Sequence, residues 1–362
     1  MERIVLAHSG SDRTVAAIER LAKAYRAEVV TLTLDLGQGR PLEGVHGGAL
    51  AAGALRAHVI DAREIFAREF ILPALRADAL AGGRSPLVRA LGRAVVAKHL
   101  ADIAKIEDAS IVAHGDVRTG VEPSFATMLG SLAPDLEVIA ACQGEGPPSF
   151  MDANLWGRVI DSPAINDPGQ EPPEDLYLLT KAPDDTPDLA AYVEFSIERG
   201  VPVAINGVEM PLVELIQSLE TIAGAHGVGR VDTVEHDSSG RTARVVYEAP
   251  AAMALHAAHA ELQRLVVSRD VERLTLDVAA KYADLASTGL WFTPARAALD
   301  ALVNEVQQQV TGTVRLKLHK ADCRVVGRAA HGGPEGPPHV PNVGRATPNV
   351  GRTFRSGKGS PA

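Results

Sequence analysis

The sequence predicts an α/β fold: a parallel sheet with helices on both faces, followed by a second, α+β domain. Three observations lead there. Short apolar runs of strand type alternate with helix-spaced segments from Ile4 to Ala141. Two of these strands run into polar, glycine-containing loops, Ser9 to Thr14 and His114 to Ser124. The pattern then breaks over Gly144 to Pro187, which is rich in Pro, Asp and Gly, and beyond it short paired strands are mixed with helices.

The first strand is Ile4-Val5-Leu6-Ala7, and Val15, Ile18, Leu21, Ala22 and Tyr25 recur behind it with helical spacing. Glu28 to Leu36 reads as a second buried strand, which completes a βαβ unit. A short helix at Gly47 to Leu55, a strand at His58 to Ile60, and helices at Ala62 to Leu75 and Pro86 to Ala104 follow. Strands at Ser110 to Ala113 and Glu137 to Ala141 complete the first domain, residues 1–145.

In the second domain, residues 146–328, Tyr192 to Ile197 and Val201 to Ile205 read as paired strands and Pro211 to Ala223 as a helix. Strands follow at Arg230 to Glu235 and Arg244 to Tyr247, then helices at Ala251 to Leu265, Val271 to Ala286 and Pro294 to Gln309. A strand pair at Thr313 to Leu318 and Arg324 to Gly327 ends it. From Ala329 the chain is Gly, Pro and basic residues, with Pro341-Asn342-Val343-Gly344-Arg345 repeated at Pro348 to Arg352. So few apolar residues build no core, and residues 329–362 read as a disordered tail.

With 362 residues, 46% of them hydrophobic, the chain can bury a sizeable core. A net charge of −9 argues against a nucleic-acid surface, which needs clustered Lys and Arg. The two cysteines, Cys142 and Cys323, have no paired-ligand spacing, as in a reducing cytoplasm. The acidic start at Glu2 lacks the regions of a signal peptide, and no run of apolar residues suits a membrane span.

In parallel sheets ligands bind beyond the carboxyl ends of the strands, so the Ser9–Thr14 and His114–Ser124 loops together form the expected site. In the first loop, Gly10 lets the backbone approach a phosphate, the hydroxyls of Ser9, Ser11 and Thr14 can bond it, and the next helix offers its N-terminus. The bland reading of the same residues is a well-capped helix start.

The chain resembles the argininosuccinate synthase family over nearly all of Glu2 to Arg328. The resemblance rests on an ordered set of segments. In the first half these are Ile4-Val5-Leu6-Ala7 with Ser9-Gly10, Asp35-Leu36-Gly37-Gln38-Gly39, Pro73-Ala74-Leu75-Arg76-Ala77 and Ala113-His114-Gly115. In the second half they are Asn154-Leu155-Trp156-Gly157-Arg158, Tyr247-Glu248-Ala249-Pro250, Gly289-Leu290-Trp291-Phe292 and Thr311-Gly312-Thr313-Val314-Arg315-Leu316. The resemblance implies an N-type ATP pyrophosphatase (adenine nucleotide alpha hydrolase-like) domain followed by a synthetase domain. It also implies a cytoplasmic homo-oligomer, dimer or tetramer, acting on small amino-acid substrates with ATP and Mg. In that reaction ATP adenylates the ureido oxygen of citrulline, pyrophosphate leaves, and the nitrogen of aspartate displaces AMP.

Carried over residue by residue, the resemblance assigns ATP to Ala7, His8, Ser9, Gly10, Ser11, Asp12, Arg13, Thr14, Leu34 and Gly115, and substrate to Arg93, Glu122, Glu248 and His256. It assigns no residue to a metal. Several positions depart from the family. Its second loop glycine is Ser11, and its loop aspartate falls at Arg13, which can grip phosphate but cannot orient Mg as a carboxylate would. Its small residue before Asp35 falls at Leu34, its Asn at Val121 beside Pro123, and its substrate tyrosine at His256, while Glu122 and Arg118 take over from an Asp and a Lys. Two functions follow: a ligase with altered or weakened activity, or a non-catalytic paralogue serving as a binding or regulatory subunit. His256 and His259, three apart on a helix, lack a third ligand and read as packing rather than metal binding.

Overall fold

The computed structural model describes residues 2–39, 42–115, 125–141, 153–160, 162–236 and 242–331. The first half opens with β1 (Arg3–Ala7), α1 (Asp12–Tyr25), β2 (Glu28–Asp35), α2 (Val45–Ala51) and β3 (Arg56–Asp61). A continuous helical rod follows, made of α3 (Arg63–Phe66), a π-helical turn over Ala67–Ile71 and α4 (Leu72–Arg76). Pro73 explains the widened turn: it has no N–H to give to Glu69, and the Leu72 N–H reaches back five residues to the carbonyl of Ala67. A hairpin of β4 (Leu80–Ala81) and β5 (Ser85–Pro86) leads into α5 (Val88–Glu107), then β6 (Ile111–His114), α6 (Phe125–Leu132) and β7 (Glu137–Ala140).

These five long strands form one parallel sheet in the order β3-β2-β1-β6-β7. The chain grows outward from β1 through β2 to β3, then crosses back by α5 to place β6 on the other side of β1. That reversal makes a topological switch point at the carboxyl ends of β1 and β6. Side chains sort by strand alternation. Ile4, Leu6 and Val29 pack on Ala17, Ile18 and Leu21 of α1, whereas Val5, Ala7, Val30, Leu32 and Leu34 join the core that holds Phe66, Phe70, Leu91 and Val95.

The second half contains β8 (Ala153–Asn154), β9 (Gly157–Ile160), β10 (Ala191–Glu198), β11 (Val201–Ile205), β12 (Val208–Glu209) and α7 (Leu212–Ala225). It continues with β13 (Arg230–His236), β14 (Thr242–Glu248), α8 (Pro250–Val266), α9 (Arg269–Ser287), α10 (Pro294–Gln307), β15 (Gly312–His319) and β16 (Asp322–Ala330). Two sheets result, ordered β13-β14-β9-β8 and β12-β11-β10-β15-β16. In β10, Val193, Phe195 and Ile197 turn inward while Tyr192, Glu194 and Glu198 face out.

Three features differ from the sequence reading. β8 and β9 lie inside the stretch expected to be irregular, and strands of two and four residues are too short for periodicity to register. Gly157 lets β9 reach β14: its φ is +140°, and a Cβ there would sit 2.6 Å from the Glu248 carbonyl oxygen. Helix α6 was not anticipated, and β16 runs two residues into the expected tail because Ala329 and Ala330 pair with Thr313 and Gly312.

Candidate active site

The loop after β1 is closed by its own hydroxyls. Ser9 Oγ donates to Ser11 Oγ at 2.9 Å and lies 3.2 Å from Thr14 Oγ1, which is 3.3 Å from Ser11 Oγ. Ser11 is the N-cap of α1, accepting from the Thr14 N–H, and the exposed carboxylate of Asp12 occupies the first turn. Both readings of this loop are therefore present in one geometry: a capped helix start, and three hydroxyls gathered at a 14-residue helix N-terminus. Gly10 has φ +75°, and a Cβ there would stand 3.0 Å from Val45 Cγ2 at the start of α2. Arg13 is half-buried in the first turn, and His8, 1% exposed, is held below its usual pKa by burial.

Across the switch point, Leu6 is level with Ala113, so His114 and Gly115 emerge at the same rim as Ala7 and His8. On the other side Ala7 is level with Leu32, and the His8 N–H donates to the Leu32 carbonyl at 2.8 Å. The next residue of β2, Thr33, donates its hydroxyl to the His8 carbonyl at 2.9 Å, on the sheet face that carries α1. Leu34, assigned to the nucleotide from the resemblance, points to the opposite face and is 1% exposed in the core with Phe66 and Leu91. Strand alternation alone separates the two, and Thr33 is the loop-side neighbour that sequence reasoning passed over.

The rim is covered from the second half of the chain. The Leu155 N–H, in the β8–β9 turn, donates to the Leu36 carbonyl at 2.7 Å, and a Cβ on Gly37 would stand 3.1 Å from Leu155 Cβ. Asn154 Nδ2 donates to the Val88 carbonyl at the start of α5. In the first and second turns of that helix, Arg89 and Arg93 are both buried, at 4% and 2% exposure.

A hydroxyl-lined loop thus lies at the switch point of a parallel sheet, covered by a turn from the antiparallel second half. Residues 3–148 match the family model "Arginosuccinate synthase N-terminal HUP domain", and residues 150–332 match "Arginosuccinate synthase C-terminal domain". The chain belongs to the argininosuccinate synthase family. The argininosuccinate synthase of Rubrobacter xylanophilus is 43% identical over 352 residues, covering 91% of this chain and 86% of that protein. Those of Brevibacillus brevis and Dictyoglomus turgidum are 41% and 40% identical, covering 91% and 90% of this chain and 84% and 87% of theirs. A solved universal stress protein in complex with cAMP aligns over 38% of this chain and 94% of its own, at 17% identity and a TM-score of 0.20.

Within this argininosuccinate synthase frame, the substrate-side expectations divide. Glu248 is 0% exposed, and both its oxygens are engaged inside the fold. Arg158 Nη1 donates to it at 2.7 Å, the Thr180 hydroxyl at 2.9 Å, and the backbone N–H groups of Leu178, Leu179 and Thr180 at 2.8 to 3.0 Å. A carboxylate so filled has no lone pair left for a substrate and acts as the anchor of the 178–180 segment. Glu220 on α7 feels that charge: burial, then the neighbouring Glu248, pushes its pKa up to about 7. His256 is 3% exposed and bound through Nδ1 to Asp78 Oδ1 at 2.8 Å, so it too sits inside the packing. Gly115 and Arg93 are placed as described, whereas Glu122, Arg118, Val121 and Pro123 lie outside the described residues.

Sequence reasoning missed one polar pair on the β13–β14–β9 sheet. The Tyr247 hydroxyl donates to Glu235 Oε1 at 2.8 Å, and Tyr247 is level with Val159, three residues beyond the turn that covers the rim. The signal was available in principle, because Tyr247 is level with Val231 and Glu235 lies four residues on, which puts it on the same face. Among the described residues no three His, Cys, Asp or Glu side chains gather to hold a metal. Asp35 is engaged as well, taking the Gly37 N–H at 2.9 Å with Arg63 at 3.7 Å. Among the described residues, then, no cage of carboxylates stands ready for a magnesium ion.

Proposed function

We propose that the chain is an ATP-dependent ligase of the argininosuccinate type, joining citrulline and aspartate at the rim where β1 and β6 end. The observation that carries the reading is the loop itself, where Ser9, Ser11 and Thr14 hydroxyls converge at the N-terminus of α1 beside the switch point. In the first step the ureido oxygen of citrulline attacks the α-phosphorus of ATP, and the bond to the β-phosphate breaks, releasing pyrophosphate. In the second, the aspartate amine attacks the ureido carbon, the C–O bond to AMP breaks, and a proton is lost.

The loop's part is to hold the phosphates in line, and the covering turn at Leu155 excludes water from an adenylate that would otherwise hydrolyse. Any magnesium ion would travel with the nucleotide's phosphates rather than in a cage of protein carboxylates. Arg13 in place of a carboxylate suits phosphate holding better than metal orientation, and slower turnover is expected from that exchange. The Glu235–Tyr247 pair offers a carboxylate and a phenol suited to the N–H groups of an amino-acid substrate.

The reading extends to a cytoplasmic homo-oligomer. Leu274 and Leu276 of α9, and Val208 of β12, are exposed apolar side chains that a second copy would cover. No helix among the described residues is long and apolar enough to cross a membrane. The test is pyrophosphate release on mixing the protein with ATP, Mg, citrulline and aspartate. Release that requires both amino acids supports the ligase. Absence of both release and calorimetric ATP binding would sink it.

A further inference from the structure

The Asp78–His256 bond joins the two halves of the chain, 178 positions apart in sequence. Asp78 lies in the segment that matches the N-terminal family model and His256 in the segment that matches the C-terminal one. Asp78 follows α4 with φ +50°, fixed by its N–H donating to the Leu75 carbonyl at 2.9 Å. The same helix end receives α10: Arg76 Nη1 donates to Asn304 at 2.7 Å, and Gln307 Nε2 donates to the Arg76 carbonyl at 2.8 Å. The imidazole also packs against Trp156, with ring centroids 5.9 Å apart and planes at 58°. Trp156 is 1% exposed, and its backbone N–H donates to Asn154 Oδ1 at 2.9 Å within the turn whose Leu155 is bonded to the end of β2.

We propose that His256 is a positioning residue: bonded to Asp78 and packed on Trp156, it sets how the 153–157 turn closes over the nucleotide rim. The carboxylate fixes the ring with Nδ1–H toward Asp78, and a fixed ring gives Trp156 one resting place. Because Leu155 and Asn154 are neighbours of Trp156 in one short turn, a displaced indole moves the groups bonded to Leu36 and Val88. No step of the chemistry passes through His256. Its influence reaches the reaction through the fit of the rim around ATP, and to that extent the inference rests on the ligase reading.

Three variants separate the parts. His256→Phe keeps a ring against Trp156 and removes the donor. Asp78→Gly removes the acceptor at a backbone position glycine adopts freely. His256→Asn keeps a donor where Nδ1 stood. In the intact chain, His256→Phe and Asp78→Gly are expected to raise the KM for ATP about tenfold with kcat within about twofold, a loss of binding rather than of transition-state contacts. Both should also shift the Trp156 emission without nucleotide, and His256→Asn, which keeps the donor but loses the ring, should restore neither the KM nor the emission. Unchanged KM and emission in both variants, with melting temperatures confirming the fold, would overturn the proposal. So would a fall in kcat at constant KM. If the unaltered protein binds no ATP, the ligase reading fails first. The emission of Asp78→Gly then decides the positioning role alone, a shift supporting it and no shift refuting it.

Discussion

Arg158 and Glu248 meet across the β9–β14 pair at 2.7 Å, with the Glu248 side chain wholly buried and its remaining valences filled by the 178–180 backbone. Glu248→Gln places an amide donor against those N–H groups and leaves Arg158 without its counter-charge. A loss of about 3 kcal/mol in unfolding free energy is expected, the scale for breaking a buried pair. Urea unfolding monitored by circular dichroism measures it. A fully stable variant with a raised KM for citrulline would instead make Glu248 a substrate ligand.

Ser9→Ala and Thr14→Val each remove one corner of the hydroxyl triangle. Each is expected to weaken ATP binding roughly tenfold, the worth of about one hydrogen bond to a charged group. Calorimetric titration with ATP reads this directly. If the hydroxyls serve only to cap α1, thermal stability should fall while ATP affinity holds.

Glu220 supplies a pH dependence with a definite sign. Its folded pKa is pushed up to about 7 from an ordinary 4.5, so the folded state holds the proton more tightly. Its contribution to stability is complete below pH 4.5 and is lost as the pH rises through 7. Glu220→Gln should match the parent at pH 4.5 and exceed it at pH 8 by about 1–3 kcal/mol. Buried His259, whose pKa burial lowers to about 4, acts in the other direction, its stabilisation disappearing as pH falls from 6.5 through 4. Chemical denaturation across pH 4 to 9, comparing parent and variant, separates the two.

Tyr247→Phe removes the donor to Glu235 while keeping the ring in place. The expected result is a three- to tenfold rise in the KM for citrulline or aspartate, with kcat little changed, because about one polar contact is lost. Steady-state kinetics with each amino acid varied in turn would show which substrate the pair serves. An unchanged KM for both would remove the pair from the site.

The first half of the chain was legible because its elements are long and their periods unmixed. Glu28 to Leu36 reads as a buried strand, and the pattern from Val15 to Tyr25 as a helix against it. The switch-point loops followed from the same alternation. The turn that covers the rim did not, since β8 and β9 are short and their partners lie far along the chain. Side-chain roles suffered most where the partner is remote. Nothing near Glu248 in sequence announces the backbone of Leu178 to Thr180, and nothing near His256 announces Asp78. Leu34 and Thr33 show the local limit, where one position along a strand separates the core from the rim.

If the ureido oxygen is the group that AMP carries away, an isotope placed on it must reach AMP. Citrulline labelled with oxygen-18 at the ureido position would be incubated with the protein, ATP, Mg and aspartate, and the AMP formed examined by mass spectrometry. One labelled oxygen is expected in each AMP, formed in step with the carbon–nitrogen product. AMP without label, or no AMP at all from a protein that binds ATP, would rule out transfer of the ureido oxygen.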